Sequence, residues 1–166
     1  MLRRNDICRI GYLSLASLVA FLLLTFKALA DENLVDADKN SRGAYLVRAG
    51  GCISCHTNKK ISGDELAGGV ILKTDFGTFY TPNITPDPIF GIGNWSEADF
   101  VTAMTKGVSP QGLHYYPTFP YTAYSGISSA DLSDMWTYLQ TVVPSTTRNR
   151  EHDLPFPLSM RLGARA

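Results

Sequence analysis

Two cysteines and a histidine are the residues whose types and spacing most clearly indicate a chemistry. Cys52, Cys55 and His56 form the pattern C-x-x-C-H, which is typical of covalent haem attachment in c-type proteins. Two thiols add across the two vinyl groups of the porphyrin, and two intervening residues on a helical turn separate the thiols by the required distance. The imidazole that follows then lies beneath the iron as the proximal ligand. We therefore predict one haem c per chain, bound by Cys52 and Cys55 and ligated by His56.

Three other uses of the cysteine pair have to be weighed against haem. A thioredoxin-like thiol–disulfide couple needs a βαβ scaffold, whereas the pattern here predicts helices and loops. A closed zinc site needs four ligands, and only His114 and His152 remain as further imidazoles. A structural disulfide between residues so close in sequence closes a very small loop and stabilises little. The haem interpretation is favoured.

Short helices with long connections must position these residues. A first helix is predicted from Ser41 to about Ala49, with Asn40 or Ser41 as its cap. A capping box at residues 96–99 opens a second helix that ends near Gly107, and a box at residues 128–131 opens a third. The third helix carries an apolar stripe and is expected to end at the proline of position 144. Residues 63–93 are rich in Gly and Pro, which predicts an ordered wrapping loop with a short hairpin within residues 69–80.

These elements predict an all-α fold of three to four short helices with long ordered loops wrapped around one haem. Residues 31–166 are expected to form a single domain of this kind. The aromatic residues of the loop after the second helix are expected to line the cofactor; they are Tyr115, Tyr116, Phe119, Tyr121 and Tyr124. The helices alone would form a thin core, and a flat apolar cofactor would add to it.

The first thirty residues have the three parts of a secretory signal. Three arginines precede an apolar run over residues 10–26, and Ala28-Leu29-Ala30 fits the small-x-small cleavage rule. The alternative is an uncleaved membrane anchor, because a run of 17 residues is at the lower limit of a bilayer span. Either interpretation predicts export, with residues 31–166 in the periplasm. Cys8 falls within the signal and has no lipobox around it.

The charge balance argues against a nucleic-acid partner. The whole chain has 15 Lys and Arg against 15 Asp and Glu, and residues 31–166 alone carry 11 basic and 14 acidic side chains. A net charge of −3 without a basic cluster does not provide the positive surface that phosphates require.

Beyond the haem motif, the sequence resembles the cytochrome c subunits of periplasmic membrane-associated dehydrogenases, including alcohol, aldehyde and gluconate dehydrogenases. The N-I-T-P-D and Y-P-x-x-P-Y blocks are the most specific segments. The matching segments are Arg42–Leu46, Ala49–Thr57, Leu66–Gly69, Phe76–Tyr80, Thr81–Asp87, Gly91–Ser96, Gly107–Val108, Tyr116–Tyr121 and Leu154–Pro157. The resemblance implies a class I cytochrome c fold and a role in passing electrons from a dehydrogenase towards quinone or an oxidase, within a complex that is associated with the membrane.

Two features depart from that resemblance. Members of this family usually carry two or three haem motifs, so this chain, with one, resembles a single haem domain of a longer architecture. Many members also have Met in the Y-P-x-M-P-Y block as the sixth iron ligand, where this chain has Phe119. Met104, on the apolar face of the second helix, is the first substitute expected, and His114 is the alternative. An open sixth position is the remaining option.

The sequence thus predicts an electron-transfer protein rather than a catalytic subunit, since no acid–base pair or nucleophile stands out. The first alternative is a haem protein whose open sixth position binds small gases or peroxide. The second is a thiol–disulfide redox protein that uses Cys52 and Cys55.

Overall fold

The computed structural model describes residues 21–27, 34–35 and 37–160. The chain divides into two compact units, Met1–Asp38 and Lys39–Ala166. In the first unit residues 21–27 are helical and exposed, while the predicted cleavage site at residues 28–30 and Cys8 lie outside the described residues. Over the stretches that are described, every helix is too short or too polar to cross a bilayer.

The described part of the chain is mainly helical, with one small hairpin. The elements are α1 (residues 37–49), α2 (Cys52–His56), α3 (Glu97–Lys106), α4 (Tyr121–Tyr124), α5 (Ser129–Leu139), β1 (Ile71–Thr74) and β2 (Gly77–Tyr80), with 3-10 turns at Lys59–Ile61 and Leu158–Met160. The strands β1 and β2 are antiparallel, with Ile71 opposite Tyr80. The mainly helical class and the hairpin within residues 69–80 are confirmed. Residues 37–160 contain five α-helices rather than the three to four predicted, because α2 and α4 are single turns of five and four residues that are too short to show a helical pattern in the sequence.

Helix α1 begins earlier than the sequence predicted. Residues 37–40 are helical, so neither Asn40 nor Ser41 is the cap. Polar residues such as Asp38 and Asn40 lower helix stability by only tenths of a kcal/mol each, and a cap residue can equally well lie inside the helix. The helix ends where predicted, because Gly50 and Gly51 follow in a turn and Gly51 adopts a φ of 78°.

Helix α3 begins and ends where its sequence predicted. The Ser96 hydroxyl accepts a hydrogen bond from the Asp99 backbone N–H (3.2 Å), and the Asp99 carboxylate accepts one from the Ser96 N–H (2.9 Å), which completes the capping box. Gly107 terminates the helix in the left-handed region at φ 64°. The face that carries Phe100 and Met104 is buried.

Helix α5 starts at the predicted cap but is shorter than predicted. The Ser128 hydroxyl accepts from the Asp131 N–H (3.1 Å), and the helix ends at Leu139 rather than at Pro144. Thr141, Val142 and Val143 precede that proline, and β-branched residues before a proline disfavour helical backbone. Val143 therefore leaves the predicted stripe and is 80% exposed, whereas Leu132 and Met135 are fully buried.

The core lies between α1, α3 and α5. It consists of Val47, Leu66, Ile92, Phe100, Met104, Leu132, Met135 and Leu139. Helix α1 passes close to α5 at Gly43, where a Cβ atom would stand 2.0 Å from the Asp134 carbonyl oxygen. Beside this contact Arg42 pairs with Asp131, and its Nε lies 3.2 Å from the Asp134 carboxylate. A small residue and an ion pair together fix this helix crossing.

A segment that we name the C-terminal strap, residues 145–160, is hydrogen-bonded to the loop after β2. The buried Asn83 amide donates to the Ser145 carbonyl (2.7 Å) and the Thr147 carbonyl (3.1 Å). The Asn83 N–H donates to the Asn149 side chain (2.7 Å), and Asp153 bridges to Thr78 in β2. The strap is thus an ordered part of the unit, although it lacks regular structure for most of its length.

Candidate functional site

Helix α2 brings the two cysteines and the histidine onto one turn. Gly51 begins it, and its carbonyl accepts hydrogen bonds from the Cys55 N–H (3.2 Å) and the Ser54 hydroxyl (2.7 Å). Cys52 is half-buried and Cys55 is exposed, and neither thiol is in a disulfide. Burial raises the pKa of Cys52 to about 11. Because neither sulfur is in a disulfide, both are free to form other covalent bonds.

The imidazole of His56 is held in one orientation by a backbone carbonyl. Its Nδ1 lies 2.7 Å from the Pro82 oxygen. Because a carbonyl only accepts, Nδ1 carries the proton and Nε2 keeps its lone pair. Burial lowers the pKa of His56, against the opposing effect of the Pro82 carbonyl. A neutral, oriented imidazole with a bare Nε2 is the form of histidine that ligates a metal.

A glycine allows Pro82 to approach His56. The Gly68 N–H donates to the His56 carbonyl (2.7 Å), and Gly68 adopts a φ of 75°. A Cβ atom on Gly68 would stand 2.4 Å from the Pro82 carbonyl carbon. The chain around Gly68 is thus packed between α2 and the loop that carries Pro82, and any larger side chain would separate them.

Three of the aromatic side chains that were expected to line the cofactor pack on one another, and one of them reaches the turn that precedes Cys52. The rings of Tyr115 and Phe119 meet edge to face with centroids 5.6 Å apart, and those of Phe119 and Tyr124 are 5.9 Å apart. The Tyr124 hydroxyl donates to the Gly50 carbonyl (2.9 Å). Burial raises the pKa of Tyr124, and the negative charges that Cys52 and Cys55 carry when ionised act in the same direction. We name Tyr115, Phe119 and Tyr124 the aromatic cluster.

Tyr116 and His152 form a different group. Tyr116 packs against Phe79 (5.4 Å between centroids) and against His152 (5.4 Å). The His152 Nδ1 accepts a hydrogen bond from the Tyr80 N–H at 3.2 Å. The aromatic residues that were expected to line the cofactor therefore fall into two groups, since Tyr116 packs between β2 and the C-terminal strap.

The two expected sixth ligands lie in different environments. Met104 is 6% exposed and belongs to the core. His114 is half-buried in the loop after α3, where it forms an isolated bridge with Val108. Sequence reasoning missed Pro82, which acts through its backbone oxygen and so has no side-chain signal. Its position directly before the N-I-T-P-D block, within the matching segment Thr81–Asp87, was the available indication.

The structure gives no support to the zinc and thioredoxin-like alternatives. Within the described residues no group of three or more His, Cys, Asp or Glu side chains could hold a metal ion. The sheet in that part of the chain is the β1–β2 hairpin, which is not a βαβ unit. Two free thiols on one helical turn, followed by a neutral imidazole with a bare nitrogen, are the donor set of a covalently bound haem, so the residues fit this cofactor. Fold and site define a c-type cytochrome.

Sequence comparison with known proteins identifies the family more narrowly. It is 47% identical over 125 residues to a diheme c-type cytochrome of Cereibacter sphaeroides, covering 74% of this chain and 42% of that protein. It is 43% identical to the gluconate 2-dehydrogenase cytochrome c subunit of Pantoea cypripedii, covering 87% of this chain and 33% of that one. It is 38% identical to the cytochrome c subunit of the quinone alcohol dehydrogenase of Gluconobacter oxydans, covering 89% and 30%.

The chain belongs to the family of c-type cytochromes that includes the cytochrome c subunits of dehydrogenases, as its sequence predicted. It spans less than half the length of these curated relatives. No protein-family model matches the chain.

Proposed function

We propose that this chain carries one haem c and transfers single electrons from a dehydrogenase towards quinone or an oxidase. The observation that carries the proposal is the α2 turn, where Cys52, Cys55 and the oriented imidazole of His56 come together. The relatives support the partner, since several are named as cytochrome c subunits of dehydrogenases. The sequence contains one C-x-x-C-H motif, which supports a single haem even though one relative is named diheme.

In this proposal each residue has a distinct role. The thiols of Cys52 and Cys55 would each add across one haem vinyl group to form a thioether bond, and the Nε2 of His56 would ligate the iron. The Pro82 carbonyl fixes the tautomer and orientation of that imidazole and raises its basicity. When bound, the haem supplies one-electron redox chemistry, so the protein needs no acid–base or nucleophilic residue.

We further propose that residues 31–166 form a single class I cytochrome c domain. The close crossing of α1 and α5 at Gly43 supports this arrangement, because it packs the first and last long helices on each other beside the α2 turn. The loops that follow α2 and β2 would then surround the cofactor.

The proposed location is the periplasm, as part of a membrane-associated complex. The N-terminal arginines, apolar run and small-x-small site support export, with either cleavage or retention as an anchor. A net charge of −3 on residues 31–166 favours docking to a basic surface of the dehydrogenase. Reduction by that partner should slow as ionic strength rises, because salt screens exposed charges beyond about 8 Å at physiological strength.

Haem staining of denatured protein tests the proposal. The Cys52→Ala, Cys55→Ala double variant, exported to the periplasm, should lose all haem that survives denaturation. The control is Ser54→Ala, which alters the same turn and keeps both thiols, and it should stain like the wild type. Covalent haem in the double variant, or none in the wild type, would refute the assignment.

A further inference from the structure

We propose that Asn149, in the C-terminal strap, is a positioning residue for His56 and lowers the reduction potential of the bound haem. Asn149 acts through the peptide group that joins Pro82 to Asn83. The inference rests on the proposed function, because it needs a haem whose iron His56 ligates. It assigns a redox role to a residue that lies 93 positions after that histidine in the chain.

The Pro82–Asn83 peptide group is hydrogen-bonded at both of its ends. Its oxygen lies 2.7 Å from the His56 Nδ1, and its N–H donates to the Asn149 Oδ1 at 2.7 Å. In a planar trans peptide the carbonyl and the N–H point in opposite directions. His56 and Asn149 therefore lie at opposite ends of one peptide group, and two hydrogen bonds connect the imidazole to the side-chain amide.

The Asn149 amide is fixed in one orientation. Its Nδ2 donates to the Phe90 carbonyl at 2.8 Å. Because a carbonyl only accepts, the NH₂ group faces Phe90 and the oxygen faces the peptide N–H. The two neighbouring residues fasten the same stretch of the strap, since the Arg148 guanidinium is 4.9 Å from the Phe90 ring centroid and that of Arg150 is 4.1 Å from the Tyr80 ring centroid.

Two hydrogen bonds on one peptide group strengthen each other. An acceptor at the N–H draws electron density through the delocalised amide towards its oxygen, which makes the Pro82 carbonyl a better acceptor. A stronger hydrogen bond at Nδ1 makes the His56 imidazole a more basic ligand, and a more basic ligand favours ferric over ferrous iron. Since hydrogen bonding around the axial ligand sets haem potentials, Asn149 should lower this one.

Asn149 can be replaced with little loss of packing, because it is exposed. Asn83, by contrast, is 2% exposed and donates to the carbonyls of Ser145 and Thr147. Substitutions at position 149 therefore change the acceptor of the peptide N–H and leave the buried side-chain network of Asn83 in place. We expect these variants to fold and to acquire haem.

Potentiometric titration of the full, haem-loaded protein tests the inference. Asn149→Ala removes the acceptor and should raise the potential, by about twofold in the equilibrium constant for reduction, because neighbouring hydrogen bonds strengthen each other by about 10–30%. Asn149→Asp supplies a charged, stronger acceptor and should lower the potential below that of the wild type. Asn94→Ala and Asn94→Asp are the controls, because Asn94 is also exposed and donates to the Pro88 carbonyl (2.6 Å).

The proton resonance of the His56 Nδ1–H in the reduced protein gives a second readout. A stronger hydrogen bond deshields its proton, so this resonance should move upfield in Asn149→Ala and downfield in Asn149→Asp. Both Asn94 variants should leave it unchanged. A change in overall structure alone would not shift the resonance in opposite directions in the two variants.

Three results would overturn the inference. Equal potentials for the wild type and Asn149→Ala would show that the peptide group transmits no effect. Shifts of the same sign in Asn149→Ala and Asn149→Asp would indicate a loss of structure. Equal shifts in Asn149→Asp and Asn94→Asp would indicate an effect of added charge alone. Failure of the proposed function looks different, because the denatured wild type would then carry no haem.

Discussion

Asn83 shows how one side chain can join distant parts of this chain. It is 2% exposed, and its amide group donates to the carbonyls of Ser145 and Thr147 while its oxygen accepts from the N–H and hydroxyl of Thr85. Both polar atoms of the Asn83 side chain are therefore satisfied inside the protein. Pro82 precedes it, so the same residue also holds the loop whose carbonyl orients His56.

Replacing Asn83 with Asp should be strongly destabilising. The aspartate has the same shape but no side-chain N–H to give, so the buried Ser145 carbonyl and the Thr147 carbonyl lose their donor and a charge is buried. Each unsatisfied buried group costs about 1–3 kcal/mol, and we expect the unfolding free energy to fall by at least about 2 kcal/mol. Asn94→Asp is the matched control, because Asn94 is exposed. Equal denaturant midpoints for the two variants would contradict this role for Asn83.

Asp131 should make stability depend on pH in the acid range. The Ser128 hydroxyl and then Arg42 lower the pKa of this carboxyl group below its ordinary value. The folded chain thus binds this proton less readily than the unfolded chain. The stabilisation is complete above the ordinary aspartate pKa of about 3.9 and is lost as the pH falls towards the lowered value.

Chemical unfolding between neutral and acid pH measures this contribution. Asp131→Asn should be less stable than the wild type at neutral pH, and the difference should shrink as the pH falls. Ser129→Ala, an exposed substitution in the same helical turn, should leave the pH dependence unchanged. A difference between Asp131→Asn and wild type that stays constant with pH would exclude a titrating role.

At the scale of elements, the crossing of α1 and α5 depends on a missing side chain. Gly43→Ala would place a Cβ atom 2.0 Å from the Asp134 carbonyl oxygen, so the helices must separate. Overpacking of this kind costs about 1–3 kcal/mol, and we expect a loss in that range or above it in thermal or chemical unfolding. The control is Gly126→Ala, where a Cβ would meet nothing within 4 Å. If both alanines had the same effect, the close crossing would not be essential.

The sequence predicted those elements whose signals are local. The capping box and Gly107 located both ends of α3, and Ser128 located the start of α5. The end of α5 was missed because a run of β-branched residues stopped the helix before Pro144 did. The start of α1 was missed because several polar residues in a row serve equally well as caps.

The candidate site likewise has one part that the sequence alone locates and another part that only the structure shows. The spacing of Cys52, Cys55 and His56 is a local pattern, so the sequence alone locates the α2 turn. The partner of His56 is a backbone carbonyl 26 residues later, and no side-chain pattern reveals it. The separation of Tyr116 from the aromatic cluster likewise depends on contacts with the strap and β2, which only the folded chain defines.

On the scale of the whole molecule, the C-terminal strap should be needed for stability. A chain that stops after Pro144 lacks the carbonyls of Ser145 and Thr147, which leaves the buried Asn83 amide without acceptors. Its unfolding midpoint should lie at a lower denaturant concentration than that of a chain that stops after Met160. Its unfolding free energy should be lower by several kcal/mol, because each buried polar group without a hydrogen-bond partner costs about 1–3 kcal/mol. Coincident unfolding curves for the two truncated chains would show that the strap contributes little.

The Asn83 contacts also set an order of events during synthesis. Because the chain is made from its N-terminus, Asn83 leaves the ribosome about sixty residues before Ser145 and Thr147. Until those residues have been made, the Asn83 amide lacks the two acceptors that fasten the loop carrying Pro82. The orientation of His56 therefore depends on a segment that is synthesised about ninety residues after the histidine itself.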